Sequence, residues 1–141
     1  LDIFAGTGAM GLEALSRGAA EAVFIDRTTS DIIRKNAERC HMSGQVKVIA
    51  RDVTPALKLL GGKSFDYIFM DPPYRKGYIN EILKEILSCG ICSDDAIIVA
   101  EHSVSEAPDL SLFEDRLDLW KEKKSGAIVV TYLRCRTTEG V

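Results

Sequence analysis

The sequence has no run approaching the roughly 18 consecutive apolar residues that a membrane-spanning helix requires, and no signal peptide is visible. No membrane partner is therefore expected. Its four cysteines, Cys40, Cys89, Cys92 and Cys135, lack the density of a disulfide framework, so a reducing cytoplasm is the expected setting. Repeats, low-complexity tracts and internal linkers are absent, which excludes solenoid and multi-domain organisations. An overall basic excess is missing too. The net charge is −3 and the sequence pI about 5.4, whereas proteins that bind nucleic acid usually carry a basic face. There is also no initiator methionine. The chain opens at Leu1-Asp2 inside an expected strand, and a segment upstream is expected to have been removed.

What is present fits one compact domain with a real core: 141 residues, 46% of them hydrophobic, in stretches broken by glycine and charge. The charges are segregated. Residues 94–118 carry eight acidic side chains against Arg116 alone, and read as a solvated face. Residues 119–136 carry Lys121, Lys123, Lys124, Arg134 and Arg136 against Glu122. Charge by itself neither selects nor excludes an RNA partner.

Apolar runs alternate with helical patterns. Strands are expected over 1–5, 22–26, 46–50, 67–70 and 96–100. A first helix carries Leu12, Leu15 and Ala19 on one side and stops near Gly18. A second begins at Thr29 or Ser30 as a capping residue, buries Ile33, Ala37 and Cys40, and stops at Gly44. The third starts with Thr54 as cap and Pro55 at the first helical position and ends at Gly61-Gly62. The fourth has Ile79, Ile82, Leu83, Ile86 and Leu87 at the spacing of a helix lying on a sheet. Leu117–Lys121 and Ile128–Leu133, joined through Ser125-Gly126, read as a β-hairpin. Short loops between alternating strands and helices imply a parallel sheet covered on both faces. The expected class is a three-layer α/β sandwich, mostly parallel and closed by an antiparallel hairpin.

The polar residues fall at strand ends, where open α/β sheets bind ligands. Gly6-Thr7-Gly8-Ala9-Met10-Gly11 matches G-x-G-x-x-G, whose glycines permit a tight turn opening a helix N-terminus. Asp26 lies 20 residues after Gly6, where an acid meets ribose hydroxyls in nicotinamide enzymes and methyltransferases alike. Asp52 ends the third strand. Two features separate those classes. Asp2 would sit beneath the glycine turn, hold its N–H groups and favour a cationic ligand over a pyrophosphate. Asp71-Pro72-Pro73-Tyr74 ends the fourth strand, and its two prolines stiffen the exit. An exocyclic amine of a nucleobase is a poor nucleophile because its lone pair is delocalised into the ring. Accepting its hydrogens on Asp71 and the Pro72 carbonyl would localise that pair, and Tyr74 offers a face for base stacking.

The stretch Leu1–Gly18 resembles the opening of the RsmD-type family, bacterial methyltransferases acting on guanine N2 of 16S ribosomal RNA. The resemblance continues through Asn36, the Asp71–Tyr74 motif, Arg75-Lys76-Gly77 and the final hairpin. It implies a Rossmann-like methyltransferase using S-adenosyl-L-methionine, with residues 1–141 as a single domain. Gly6 and Gly8 would pass beneath the cofactor, Asp26 would bind its ribose and Asp52 its adenine amino group. The implied cofactor-binding set is Asp2, Phe4, Gly6, Gly8, Asp26 and Asp52, and the catalytic set is Asp71, Pro72, Pro73 and Tyr74. Asp26 stands where many relatives carry Glu, and by the resemblance the family's N-terminal, RNA-holding segment is expected to have been left out upstream of Leu1. The implied partner is 16S rRNA, free or within the small subunit, met by a monomeric cytoplasmic enzyme that needs no metal.

Adenine N6 remains open as the target, since Asp-Pro-Pro-Tyr serves both amines. Outside nucleic-acid methylation, a nicotinamide-dependent oxidoreductase and a non-catalytic cofactor- or RNA-binding scaffold stay open as well. Among weaker signals, Cys89-Gly90-Ile91-Cys92 is expected to end the fourth helix at Gly90 rather than bind zinc, which takes four ligands. His102 is expected to be a solvated loop residue, and Arg75 and Lys76 could meet RNA phosphates.

Overall fold

A computed structural model describes residues 1–136. The five remaining positions of the expected domain, 137–141, lie outside the described residues. The chain forms two compact units, Leu1–Leu59 and Leu60–Val141. Among the described residues, no helix is long and apolar enough to cross a membrane.

In the first unit, strands β1 (Asp2–Ile3), β2 (Ala22–Ile25) and β3 (Val46–Ile49) run parallel in the order β3-β2-β1. Asp2 lies opposite Phe24, and Ala22 opposite Val46. Every residue of β2 is buried, as expected for a central strand of a covered parallel sheet. Helix α1 (Ala9–Ser16) buries Leu12 and Leu15, and α2 (Ser30–Arg39) buries Ile33 and Ala37, against Ala22 and Phe24. Helix α3 spans Val53–Leu59.

Three local expectations are corrected here. Helix α2 ends before Gly44, because His41 adopts φ 58° and closes the helix. Its N–H donates to Glu38 O, and that of Met42 to Ala37 O, so the last carbonyls are satisfied without glycine. Cys40, one residue past the helix, is exposed. Helix α3 begins at Val53, with Ala56 N–H donating to Asp52 O, so Thr54 and Pro55 lie within the first turn. Proline is tolerated there because its missing N–H has no intrahelical acceptor.

The second unit holds β4 (Phe65–Met70), α4 (Tyr78–Cys89), β5 (Cys92–Ser103), β6 (Leu117–Ser125) and β7 (Ile128–Cys135), in strand order β4-β5-β7-β6. Strand β5 runs parallel to β4 and antiparallel to β7, and β6 closes the hairpin. Helix α4 buries Ile79, Ile82, Leu83 and Ile86 of the expected stripe, leaves Leu87 half-buried, and ends at Gly90 with φ 64°. Strand β5 is far longer than 96–100. Cys92 starts it, paired with Phe65, and the sulfur of Cys92 is hydrogen-bonded to that of buried Cys135. The observed class is the expected one: mostly parallel α/β of Rossmann-like type, ended by an antiparallel hairpin.

One contact in the first unit governs how close helix and strand can come. A Cβ at Gly11 would lie 2.3 Å from Cε1 of Phe24, closer than any packing allows. Gly11→Ala is therefore expected to destabilise the protein by about 1–3 kcal/mol in urea unfolding. Gly44→Ala meets open space and is expected to stay within about 0.5 kcal/mol of the parent.

Candidate functional site

The glycine turn is built on left-handed backbone. Gly6 and Gly8 adopt φ 57° and 83°, and Phe4, just before them, adopts φ 61°. That conformation is costly for a bulky side chain, and such strain concentrates at functional sites. Two carboxylates hold the turn. The Gly11 N–H donates to Asp2 Oδ2 at 3.1 Å, and the Gly6 N–H donates to Asp26 Oδ2 at 3.0 Å. Asp26 Oδ1 accepts from the N–H groups of Thr28 at 2.9 Å and Thr29 at 3.1 Å. Helix α2 starts at Ser30 with Thr29 in the capping position, as expected, but without a side-chain cap bond; Asp26 takes the donors just ahead of the helix instead.

The two acids differ in how readily they ionise. Asp2 is buried, and burial pushes its carboxyl up to about 6. The Gly11 N–H works against that shift, and the neighbouring Asp26 charge adds to it. Partial burial acts on Asp26 in the same upward sense, but the N–H groups of Thr28 and Gly6 outweigh it and hold this carboxyl below its usual range. Oδ1 accepts from the N–H groups of Thr28 and Thr29 and from the Thr28 hydroxyl at 3.3 Å, whereas Oδ2 accepts only from the Gly6 N–H and keeps a second lone pair for a hydroxyl.

Asn36, noted in the sequence only as part of a resemblance, proves to be a brace. Its side-chain amide donates to Thr7 O at 2.9 Å, tying α2 to the glycine turn. Asp52 is exposed and meets Arg27 at 3.3 Å. Within this unit the structure thus groups Asp2, Phe4, Gly6, Gly8 and Asp26 around one turn, with Asp52 at the end of the neighbouring strand. A Cβ at Gly6 would touch nothing within 4 Å, so the turn faces open space. A buried acid, an acceptor carboxylate and an open glycine surface suit a ligand carrying an ammonium and a ribose.

In the second unit, Asp71-Pro72-Pro73-Tyr74 follows Met70 directly. Partial burial raises the Asp71 carboxyl, which accepts no hydrogen bond among the described residues. Tyr74 is 75% exposed, so its ring face is open. A small depression is lined by Pro72, Pro73, Tyr74, Tyr78, His102 and Glu106. Arg75 lies over the Tyr78 ring at 4.8 Å and meets Glu81 at 3.7 Å.

His102 is a correction. It is not a solvated loop residue but 6% exposed within β5, opposite Val129. Its Nε2 lies 2.6 Å from Thr131 Oγ1, and its Nδ1 lies 2.8 Å from Ser103 O. Because a carbonyl only accepts, Nδ1 carries a proton and donates it to Ser103 O, while Nε2 is hydrogen-bonded to the Thr131 hydroxyl. No sequence signal marked its burial, because Glu101, His102 and Ser103 are all polar and show no apolar alternation.

The family model described as conserved hypothetical protein 95 matches residues 1–134. The chain belongs to this family. It is 35% identical over 130 residues to the ribosomal RNA small subunit methyltransferase D of Escherichia coli, covering 91% of the chain, which bears out the RsmD-type resemblance. This family member spans 58–64% of the length of the curated relatives it matches first. The solved structure of Escherichia coli yhhF, a candidate methyltransferase, superposes with a TM-score of 0.83 at 31% identity. The match covers 97% of this chain and 75% of that one. An RNA methyltransferase of Salinibacter ruber, solved with S-adenosyl-L-homocysteine, shares the fold at a TM-score of 0.70 and 17% identity, over 99% of this chain and 80% of that one.

The raised Asp2 carboxyl gives a pH-dependent prediction. A folded value of about 6 against 3.8 unfolded means that this group favours folding below the unfolded value, an advantage lost as pH rises through 6. Asp2→Asn keeps an acceptor for the Gly11 N–H and removes the charge. At pH 8 it is expected to stabilise the free protein by on the order of 1–3 kcal/mol, and the gain should vanish below about pH 4. Urea unfolding at both pH values measures this.

Proposed function

We propose that this family member is the core of a methyltransferase that transfers a methyl group from S-adenosyl-L-methionine to the exocyclic N2 amine of a guanine in 16S ribosomal RNA. The observation that carries the reading is the Asp71–Tyr74 segment: an unengaged carboxylate at a proline-stiffened strand exit, beside an exposed tyrosine ring. The name of the Escherichia coli relative supports the substrate class, and the Salinibacter ruber neighbour's bound product supports the cofactor.

Bound S-adenosyl-L-methionine would supply an electrophilic sulfonium methyl. Asp2 balances its ammonium, the Gly6 and Gly8 backbone allows close approach, Asp26 accepts from its ribose, Asp52 from its adenine amine, and Phe4 borders the same turn. In the catalytic set, Asp71 and the Pro72 carbonyl accept the hydrogens of the guanine amine and direct its lone pair outward. Pro73 fixes the exit, and Tyr74 stacks on the base. Catalysis comes from positioning and electrostatics, without a metal or covalent intermediate. A paired guanine must leave its stack to reach Tyr74, so an exposed guanine is the target. The enzyme works as a cytoplasmic monomer on rRNA, free or within the small subunit.

S-adenosyl-L-homocysteine is expected to bind saturably in calorimetry while NADH gives no signal; the reverse result would favour a nicotinamide enzyme. Its affinity should fall as pH drops below about 6, where Asp2 becomes neutral and no longer balances the ammonium. Asp71→Ala should lower methyl transfer by on the order of 10²-fold or more while leaving cofactor affinity within about twofold. Nucleoside analysis of the product distinguishes N2-methylguanosine from N6-methyladenosine.

A further inference from the structure

The hairpin presents two unlike faces. Alternate residues of β7, Val129, Thr131, Leu133 and Cys135, are buried. Its other face carries Tyr132 and Arg134, and β6 is exposed from Asp118 to Ser125. The register between β6 and β7 shifts between Leu119 and Lys121, leaving Trp120 unpaired and 49% exposed. Such a bulge re-aims a side chain. Here the Trp120 ring stands edge-on to Tyr132, with centroids 6.1 Å apart and planes at 89°.

Three cations surround these rings. Lys121 Nζ lies 4.6 Å from both centroids, Arg134 Cζ lies 5.2 Å from Trp120, and Lys123 Nζ lies 6.0 Å from Tyr132. None of the three forms a salt bridge among the described residues. The nearby acids are otherwise engaged, Glu122 with Lys124 at 3.6 Å and Asp118 with Arg136. Lys121 and Lys123 are thus gathered beside an exposed indole in a protein of net charge −3, with Arg134 next to them and facing Asp118 across the strands.

The patch also has a position. Met70, the last residue before Asp71, is in register with Ala100, which faces Thr131, which faces Glu122. Lys121 and Lys123 flank that row. Three strand spacings separate this row from Met70, roughly 14 Å, while Tyr132 and Arg134 lie further back, in register through β5 with Phe69 and Tyr67.

We infer that the Trp120–Lys121–Lys123–Tyr132–Arg134 face is an RNA-docking surface, holding the strand that flanks the nucleotide delivered to Asp71 and Tyr74. This rests on the RNA substrate proposed above. The cations neutralise phosphates, and Trp120 stacks on an unpaired base, a combination that grips single strands irrespective of sequence. Strand addition by a protein partner is disfavoured, because exposed lysines on an edge strand are a common means of blocking it.

The test uses the whole chain and a fluorescently labelled 16S rRNA transcript, with S-adenosyl-L-homocysteine calorimetry run on every variant. Lys121→Glu/Lys123→Glu is expected to weaken RNA binding at least tenfold and to lower the slope of log affinity against log salt by about 1.4–1.8. Trp120→Ala should weaken it about fivefold or more, with Trp120→Phe close to the parent. Lys58→Glu/Lys63→Glu, the same charge change elsewhere, should cost much less. The inference is overturned if the hairpin variants bind cofactor product and RNA like the parent. An equal loss in the Lys58/Lys63 control overturns it too, as does a change in sedimentation coefficient with RNA affinity intact. A parent that binds the product but no RNA refutes the surface alone. A folded parent that binds neither refutes the methyltransferase reading beneath it.

Discussion

The glycine turn of the first unit exists because two carboxylates take its backbone donors. A turn with left-handed residues at Phe4, Gly6 and Gly8 points several N–H groups away from any regular ladder. Asp2 and Asp26 satisfy those of Gly11 and Gly6, while Asp26 also gathers the approach to α2. One acid therefore fixes both the turn and the helix beside it, and Asn36 locks the two together through Thr7 O. Gly11 then lets α1 settle on the Phe24 ring without a side chain between them.

The same arrangement sets a cost. Asp26 is surrounded by donors and stays ionised readily. Asp2 is buried with one, so its negative charge is poorly compensated in the free protein. A buried acid short of compensation is a natural partner for a cationic group arriving from outside. Stability and ligand binding pull on this side chain in opposite directions.

In the second unit, β5 and the hairpin form the wall beside the proline-rich exit. Strand β5 continues past the level of Met70 as far as Ser103, paired with β7 throughout, and the buried His102–Thr131 bond clamps the pair where it borders the Pro72–Tyr74 depression. Both imidazole nitrogens are engaged, so His102 serves as a fixed wall. The opposite face of the same hairpin is left to solvent, with its aromatics and cations unburied.

Local patterning made much of this legible: the alternation of strands and helices, the α4 stripe, the glycine turn with its acids, and Asp71–Tyr74. These features arise from period, turn chemistry and residue type within a few positions of each other, which a linear sequence displays directly. The closure of α2 by His41, the capping of its approach by Asp26, the burial of His102 and the Trp120 bulge were not legible. Each is decided by partners 20 or more residues away or by competition among neighbouring backbone groups. By itself the sequence determined the class of fold and which residue types stand at the strand ends. The tertiary structure alone decided which of them are buried, which donors each carboxylate takes and which hairpin face is left open, because burial and hydrogen-bond partnership belong to pairs of residues brought together by folding.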